Sequence, residues 1–197
     1  MNKKICIALL IIGSITLIVF LAVKKFYSAQ LIDRANYQLY IPRGISHKQR
    51  YPLVIALSPN ANADSMMRTW GPLADKYLCI IFASKVSRND LSFDIIMPSL
   101  YADMLEVCEE FPVDKSKIIA TGVSGGAMCS HVLSFLYPKE IAAVIANAGM
   151  MHEHFKQQKD KYPRDKIAVF LASPTDYRYD EMQDDFKFLK EMRWKLK

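Results

Sequence analysis

The sequence predicts an α/β fold, a parallel-sheet core with helices on both faces. Two observations carry this. Short uncharged runs rich in Val, Ile, Leu and Ala recur along the chain, and stretches of helical period separate them. The second is a concentration of glycine. The chain has seven glycines in 197 residues, and three of them, Gly122, Gly125 and Gly126, crowd around Ser124, where one apolar run ends and a helical stretch begins.

The elements follow in order. Tyr37 to Ile41 alternates and is β-rich, and Pro42 ends it. "PLVIALS" (52–58) is a continuous apolar run, suited to a parallel strand buried on both faces. "SPNANADS" breaks the chain; Asp64 can cap a helix reaching Lys76, with a kink at Pro72. "LCIIFAS" (78–84) is the next buried strand, and 85–97 read as loop. Pro98 opens a helix at its first turn, with Leu100, Met104, Val107, Cys108 and Phe111 on one face, and Pro112 stops it. "KIIATG" (117–122) is a strand, Gly126 to Tyr137 a helix, and "IAAVIANAG" (141–149) a strand. A polar loop (150–165), the strand "KIAVFLAS" (166–173) and an amphipathic helix (179–192) complete the pattern, and "RWKLK" begins a further strand.

Ahead of this domain (31–197) lies an N-terminal segment (1–30). Ile5 to Val23 carries no charge and is flanked by Lys3-Lys4 and Lys24-Lys25. As a helix it spans roughly 28 Å, enough to cross a bilayer. A cleavable signal peptide competes, but Tyr27-Ser28-Ala29 sets a bulky Tyr where a small residue belongs, so an uncleaved transmembrane anchor with the domain outside the cytoplasm is the expectation. The net charge of +6 comes mostly from this segment: its four lysines removed, 22 basic residues face 20 acidic ones. A near-neutral domain leaves no electrostatic footprint for nucleic acid. Cys79, Cys108 and Cys129 lack metal or redox spacing and read as buried free thiols; Cys6 has no assigned role.

Gly122-Val123-Ser124-Gly125-Gly126 is a G-x-S-x-G pattern between a predicted strand and a predicted helix. On such an elbow the serine takes a strained, positive φ. Gly122 and Gly126 lack side chains so that strand and helix approach. The Ser124 hydroxyl then stands at the carboxyl edge of the sheet, and the Gly125 amide, at the helix start, faces a developing oxyanion. The competing reading, a plain β–α turn holding a phosphate, lacks a P-loop lysine and lacks G-x-G-x-x-G.

"VDKSKIIATGVSGGAMCSHVLSFLYP" (113–138) resembles the elbow region of α/β-hydrolases, specifically the poly(hydroxyalkanoate) depolymerase and feruloyl-esterase-like group. Asp114, Lys117 and Ile118 match that group's Asp-x-x-(Arg/Lys)-Ile segment, and "NYQLYIPRG", "YPLVIALSPNA" and "LADKYLCIIFAS" resemble its opening strands. The resemblance covers about residues 36–196. It implies a serine nucleophile, Ser124, a histidine base and a carboxylate that orients the base. "LASPTDYRYDEM" matches the acid turn, with Ser173 in place of a glycine, and nominates Asp176; Asp180 is the reserve, and Asp176 as a helix cap is the plainer alternative. The second oxyanion donor follows "VIALS". The group carries His-Gly there and this chain Ser58-Pro59; proline has no N–H, so the Asn60 amide is the candidate.

The histidine is the departure. The fold places it beyond the acid, and no residue after Asp176 is His. His47 sits in an early loop, His131 two turns along the elbow helix, and His152 and His154 after the fourth buried strand, at the catalytic edge. The resulting expectation is a membrane-tethered serine esterase that lacks its C-terminal strand and histidine loop and acts on a small-molecule or polymeric ester. No metal or cofactor is implied. A catalytically inactive α/β-hydrolase-like binding or scaffold protein is the alternative, and a thioesterase or peptidase built on the same site is a second.

Overall fold

The computed structural model describes residues 29–197. Among the described residues, eight strands form one sheet in the order β1-β2-β4-β3-β5-β6-β7-β8. They are β1 Gln30–Asp33, β2 Tyr37–Ile41, β3 Tyr51–Leu57, β4 Ile80–Ser84, β5 Val113–Val123, β6 Ile141–Asn147, β7 Ile167–Leu171 and β8 Lys195–Leu196. β1 and β2 run antiparallel, and β2 is antiparallel to β4. All pairings from β4 to β8 are parallel. The helices are α1 Ala63–Tyr77, α2 Phe93–Glu110, α3 Gly125–Leu136, α4 Glu153–Lys156 and α5 Tyr179–Glu191. The expected anchor, Ile5–Val23, lies outside the described residues. Among the described residues no helix is long and apolar enough to cross a membrane.

The alternation of β3 explains the layers. Leu53, Ile55 and Leu57 point to one face, where they join Phe82 of β4, Met97, Leu100, Met104 and Val107 of α2, and Ala127, Val132 and Leu133 of α3. Val54 and Ala56 point to the other, against Ala63, Met66 and Ala74 of α1. Residues such as Leu53 and Met104, fully buried, each cost about 2–5 kcal/mol on truncation to Ala. Cys79, Cys108 and Cys129 are buried and free, as expected.

Four local differences from the sequence reading have physical causes. β1 was not anticipated: its residues are mostly exposed, so no alternation marks it. α1 is capped by Asn62, whose side chain accepts from Ser65 N at 2.9 Å, not by Asp64, and the helix runs through Pro72. α2 begins at Phe93, well before Pro98: Ile95 N and Ile96 N both bond to Ser92 O at 3.1 Å, and burial of Ile96 and Met97 rewards the extra turn. The C-terminal strand, expected to be lacking although "RWKLK" reads as the beginning of one, is present as β8, Lys195–Leu196, parallel to β7, with Lys197 N bonded to Ala168 O at 3.0 Å.

Candidate active site

The carboxyl ends of β3, β5, β6 and β7 lie along one edge of the sheet, and the turns leaving them build the site. β5 ends beside β6, with Val123 opposite Asn147, and Ser124 N bonds to Asn147 O at 2.9 Å. Ser124 then takes φ 54° and ψ −122°, a conformation L-residues rarely adopt, and α3 starts at the next residue. Close packing holds it there. A Cβ on Gly122 would lie 2.2 Å from the Gly126 carbonyl carbon, and one on Gly126 would lie 2.1 Å from Leu57 O. Beyond β6 a further glycine is forced, because a Cβ on Gly149 would lie 2.3 Å from Ser124 O. Ala127 N and Met128 N bond to Ser124 O at 2.9 and 3.2 Å, and the amides ahead of them have no preceding turn to bond to, so Gly125 N–H is available at the elbow.

A cavity of about 840 Å³ opens over the elbow. Ser124, Gly125, Arg88, Asn89, His152 and Arg178 make its polar side. Phe93, Phe135, Leu136 and Phe155 make an apolar wall, with Phe155 ring-packed on both Phe93 and Phe135.

Asp176 lies in the turn between β7 and α5, at the same edge. One side chain links it to Ser124. Arg178 Nη1 donates to Ser124 Oγ at 2.7 Å, Nε donates to Asp176 Oδ1 at 2.9 Å, and Nη2 donates to Asp176 Oδ2 at 2.8 Å. These donors and the Arg178 backbone N–H hold the Asp176 carboxyl down to about 2. The carboxylate in turn holds Arg178 further into its protonated range. A guanidinium has five donors and no acceptor, so Arg178 cannot take a proton from the serine.

Asn60 is not brought to the cavity. Its amide turns onto Ser58 Oγ at 3.3 Å, its side chain bonds the same hydroxyl, and its backbone bridges to Arg88. The side chain on the elbow is Asn89, whose Oδ1 lies where a Gly125 Cβ would be. Asp180 sits in the first turn of α5.

The histidines divide. His131 is fully enclosed in α3, its ring stacked against Phe170 at 5.8 Å, with neither nitrogen bonded, and burial alone pushes it down to about 3. His152 and His154 line the cavity. His152 Nδ1 accepts from His154 N at 3.3 Å, and its ring meets Phe93 edge-on at 5.4 Å. His154 pairs with Gln158. None of these three hydrogen-bonds to Ser124. Sequence reasoning missed Arg178, Arg88 and Asn89. A guanidinium two residues beyond a proposed acid was the one available signal, and it says nothing of Ser124, 54 positions away.

No family model matches the chain, and no curated protein matches it by sequence. Solved structures do. A thermostable esterase superposes at TM-score 0.59 with 16% identity, covering 87% of this chain. A ferulic acid esterase of the anaerobic fungus Anaeromyces mucronatus superposes at 0.63 with 15% identity, over 85% of this chain and 81% of its own. An S-formylglutathione hydrolase of Staphylococcus aureus superposes at 0.63 with 10% identity, over 86% and 88%. This chain spans 54% of the length of the thermostable esterase. Strand order, elbow and superpositions together define the class: the chain has the α/β-hydrolase fold.

Proposed function

We propose that the protein is a serine hydrolase of carboxylic esters, with Ser124 as nucleophile, the Gly125 amide as an oxyanion donor and Asp176 as the carboxylate that orients a base. One observation carries the reading: Ser124, at φ 54° on the elbow, presents its hydroxyl to a large cavity with the Asp176 carboxylate one side-chain group away. In the reaction, Oγ bonds to the ester carbonyl carbon as its proton leaves to the base. The tetrahedral oxyanion sits on the α3 N-terminus, and its collapse breaks the bond to the alcohol, which takes that proton. The names of the structural neighbours, a thermostable esterase and a ferulic acid esterase, support an ester substrate. The 113–138 segment, resembling poly(hydroxyalkanoate) depolymerases and feruloyl esterases, adds polymeric esters to that class, and the Phe93–Phe135–Phe155 wall suits an apolar acyl or aryl group. The lysine-flanked Ile5–Val23 segment favours a membrane tether with the domain outside the cytoplasm.

The bonded Arg178 favours the second reading, a protein that binds esters without turning them over. A phosphonylating reagent separates the two, because it tests the nucleophile without needing turnover. With an external base supplied, the Ser124 peptide of an Arg178→Ala chain is expected to gain the phosphonyl mass and a Ser124→Ala chain none. Nitrophenyl-ester turnover by the 197-residue chain is expected to sit barely above background, since Arg178 holds Ser124 Oγ and cannot take its proton, and a serine without a base loses several orders of magnitude. A Ser124 that stays unlabelled in a folded Arg178→Ala chain supplied with an external base would overturn the hydrolase reading.

A further inference from the structure

We propose that Asp185, which does not itself line the cavity, is the positioning residue for the cavity's aromatic wall. The sequence marks it first. The buried positions of α5 are Met182, Asp185 and Leu189, spaced three and four residues apart, so a carboxylate stands in the middle of the helix's apolar stripe. Asp185 is wholly buried. A carboxylate there is costly unless it is bonded, and both of its oxygens are. Oδ2 accepts from the Met151 backbone N–H at 2.6 Å, and Oδ1 accepts from Lys156 Nζ at 3.0 Å.

The two donors bracket a stretch of the cavity wall. Met151 and Lys156 stand on either side of residues 152–155, and His152, His154 and Phe155 of that stretch line the cavity. Lys156 is also tied to Glu153 at 3.0 Å. Little else fixes the stretch. α4 is four residues long, too short to persist alone, and His152, Glu153 and His154 are exposed. The Lys159–Glu191 pair further along lies at the surface, where such pairs contribute little. Phe155 meets the rings of Phe93 at 5.9 Å and Phe135 at 5.0 Å, and ring pairs depend on separation and angle, so they need its backbone in place. α5, anchored in the core by Leu189 and with Met182 buried beside it, supplies the fixed frame, and one carboxylate fastens the wall to it at two points. An apolar residue at 185 would complete the stripe of α5 but leave the Met151 N–H unpaired and the stretch unfastened. The inference rests on the reading of this cavity as an ester site. There the wall meets the acyl or aryl group while Ser124 meets the carbonyl, so Asp185 governs how well a ring is held and has no part in the chemical step.

The full 197-residue chain carrying Ser124→Ala, which can bind an ester without turning it over, is the parent for the test. Asp185→Leu removes both bonds, and Asp185→Asn keeps an oxygen for the Met151 N–H. Two NMR readouts are taken. Without ligand, the Phe155 ring signals, assigned with Phe155→Leu, are expected to leave their positions in Asp185→Leu and to hold them in Asp185→Asn, while the Leu53 and Leu57 methyl signals of β3 stay unchanged. With ligand, the Gly125 and Gly149 amides follow titrations with ethyl 3-phenylpropanoate and with ethyl butanoate. In Asp185→Leu the ring-bearing ester is expected to lose roughly tenfold in affinity, the worth of one aromatic contact, and the aliphatic ester little. Asp185→Asn should recover most of that loss. Should Asp185→Leu not fold, Asp185→Asn/Lys156→Met removes the ion pair, keeps the Met151 bond and is expected to show both effects at smaller size. Unmoved Phe155 signals in the folded variant would overturn the proposal. So would an unchanged affinity for the ring-bearing ester, or an equal loss for both esters, which would mean that Asp185 acts through the whole fold. Displaced Phe155 signals with neither ester bound by the parent would leave Asp185 standing as the anchor of the wall and count against the ester-site reading.

Discussion

The two halves of the site are held by different forces. On the elbow, backbone meets backbone: Gly122 against Gly126, Gly126 against Leu57, Gly149 against Ser124, each at a distance that admits no Cβ. At the acid turn, side chain meets side chain: Asp176 and Arg178 are joined by an ion pair and hydrogen bonds near the surface, with some 15% of each side chain exposed. The first arrangement has no alternative within the fold. The second is one rotamer choice among several, and a long arginine can leave it. An enzyme can tolerate variation at the acid turn that it cannot tolerate at the elbow.

Gly126→Ala and Gly122→Ala probe this contrast with the largest effects. Each drives a methyl group into main-chain atoms that cannot move without breaking the β3–β5 or β5–α3 junction. A loss of about 4 kcal/mol or more, the range reserved for such clashes, is expected. Gly125→Ala is the internal control: its Cβ meets only the Asn89 side chain, which can swing away, so the chain should fold. Thermal unfolding compares the three; a Gly126→Ala protein with an unchanged Tm would end the claim that the elbow is set by backbone packing.

Next in size is His131, on the elbow helix but without a role at the elbow. Its pKa falls from 6.5 to about 3 on folding. The unfolded chain therefore binds the proton more readily, and stability is lost as pH falls below about 6.5, continuing to about 3. At pH 4.5 the loss is about 2 to 3 kcal/mol. His131→Phe, which keeps a ring against Phe170, should remove that pH dependence. Denaturant unfolding at pH 7.5 and 4.5 measures it, and identical slopes with pH for both proteins would show that the buried ring is reached by water.

Asp176 gives a smaller, local effect. Its folded value near 2 lies below the ordinary carboxylate value of 3.8, so its stabilising contribution is present above about 4 and is lost as pH falls towards 2. Arg178→Ala should return the Asp176 carboxyl to the ordinary range, read by its side-chain carbon shift in an NMR titration. A value still near 2 in the variant would mean that backbone donors, not the guanidinium, hold the carboxylate.

The elbow was legible in the sequence because it depends on what is missing. Glycines at fixed offsets from a serine, between an apolar run and a helical stretch, leave the mark of atoms that would collide. The central strands were legible for a related reason, since burial on both faces leaves no polar residue in β3 or β4 before Ser84 apart from Tyr51. β1 lies at the sheet edge with Leu31 well exposed, and pairing there puts no demand on side chains. Arg178 was illegible because its partner Ser124 is 54 residues away and only the fold sets the distance. Asn60 was argued from the resemblance group's His-Gly position and from the N–H that Pro59 lacks, neither of which shows that its amide bonds the Ser58 hydroxyl.

Gly71 sharpens the comparison with the smallest effect. It sits inside α1, and an added Cβ would meet nothing within 4 Å beyond its chain neighbours and the backbone of its own helix. Unlike Gly122 and Gly126, it has no packing reason to be glycine. In an open helix interior, Ala in its place is worth about 0.5–1 kcal/mol through the unfolded chain's lost freedom and better helix propensity. The next residue, however, is Pro72, and its ring presses on the Cβ of a preceding helical residue, disfavouring the α conformation there. The two effects oppose and are of similar size. Gly71→Ala should therefore change stability by no more than about 0.5 kcal/mol in either direction, as for a neutral surface site. A gain close to 1 kcal/mol in denaturant unfolding would mean that the helix bends enough at Pro72 to relieve the crowding. A loss comparable to Gly126→Ala would mean that glycine in this chain is required by something other than the close approach of backbone at the elbow.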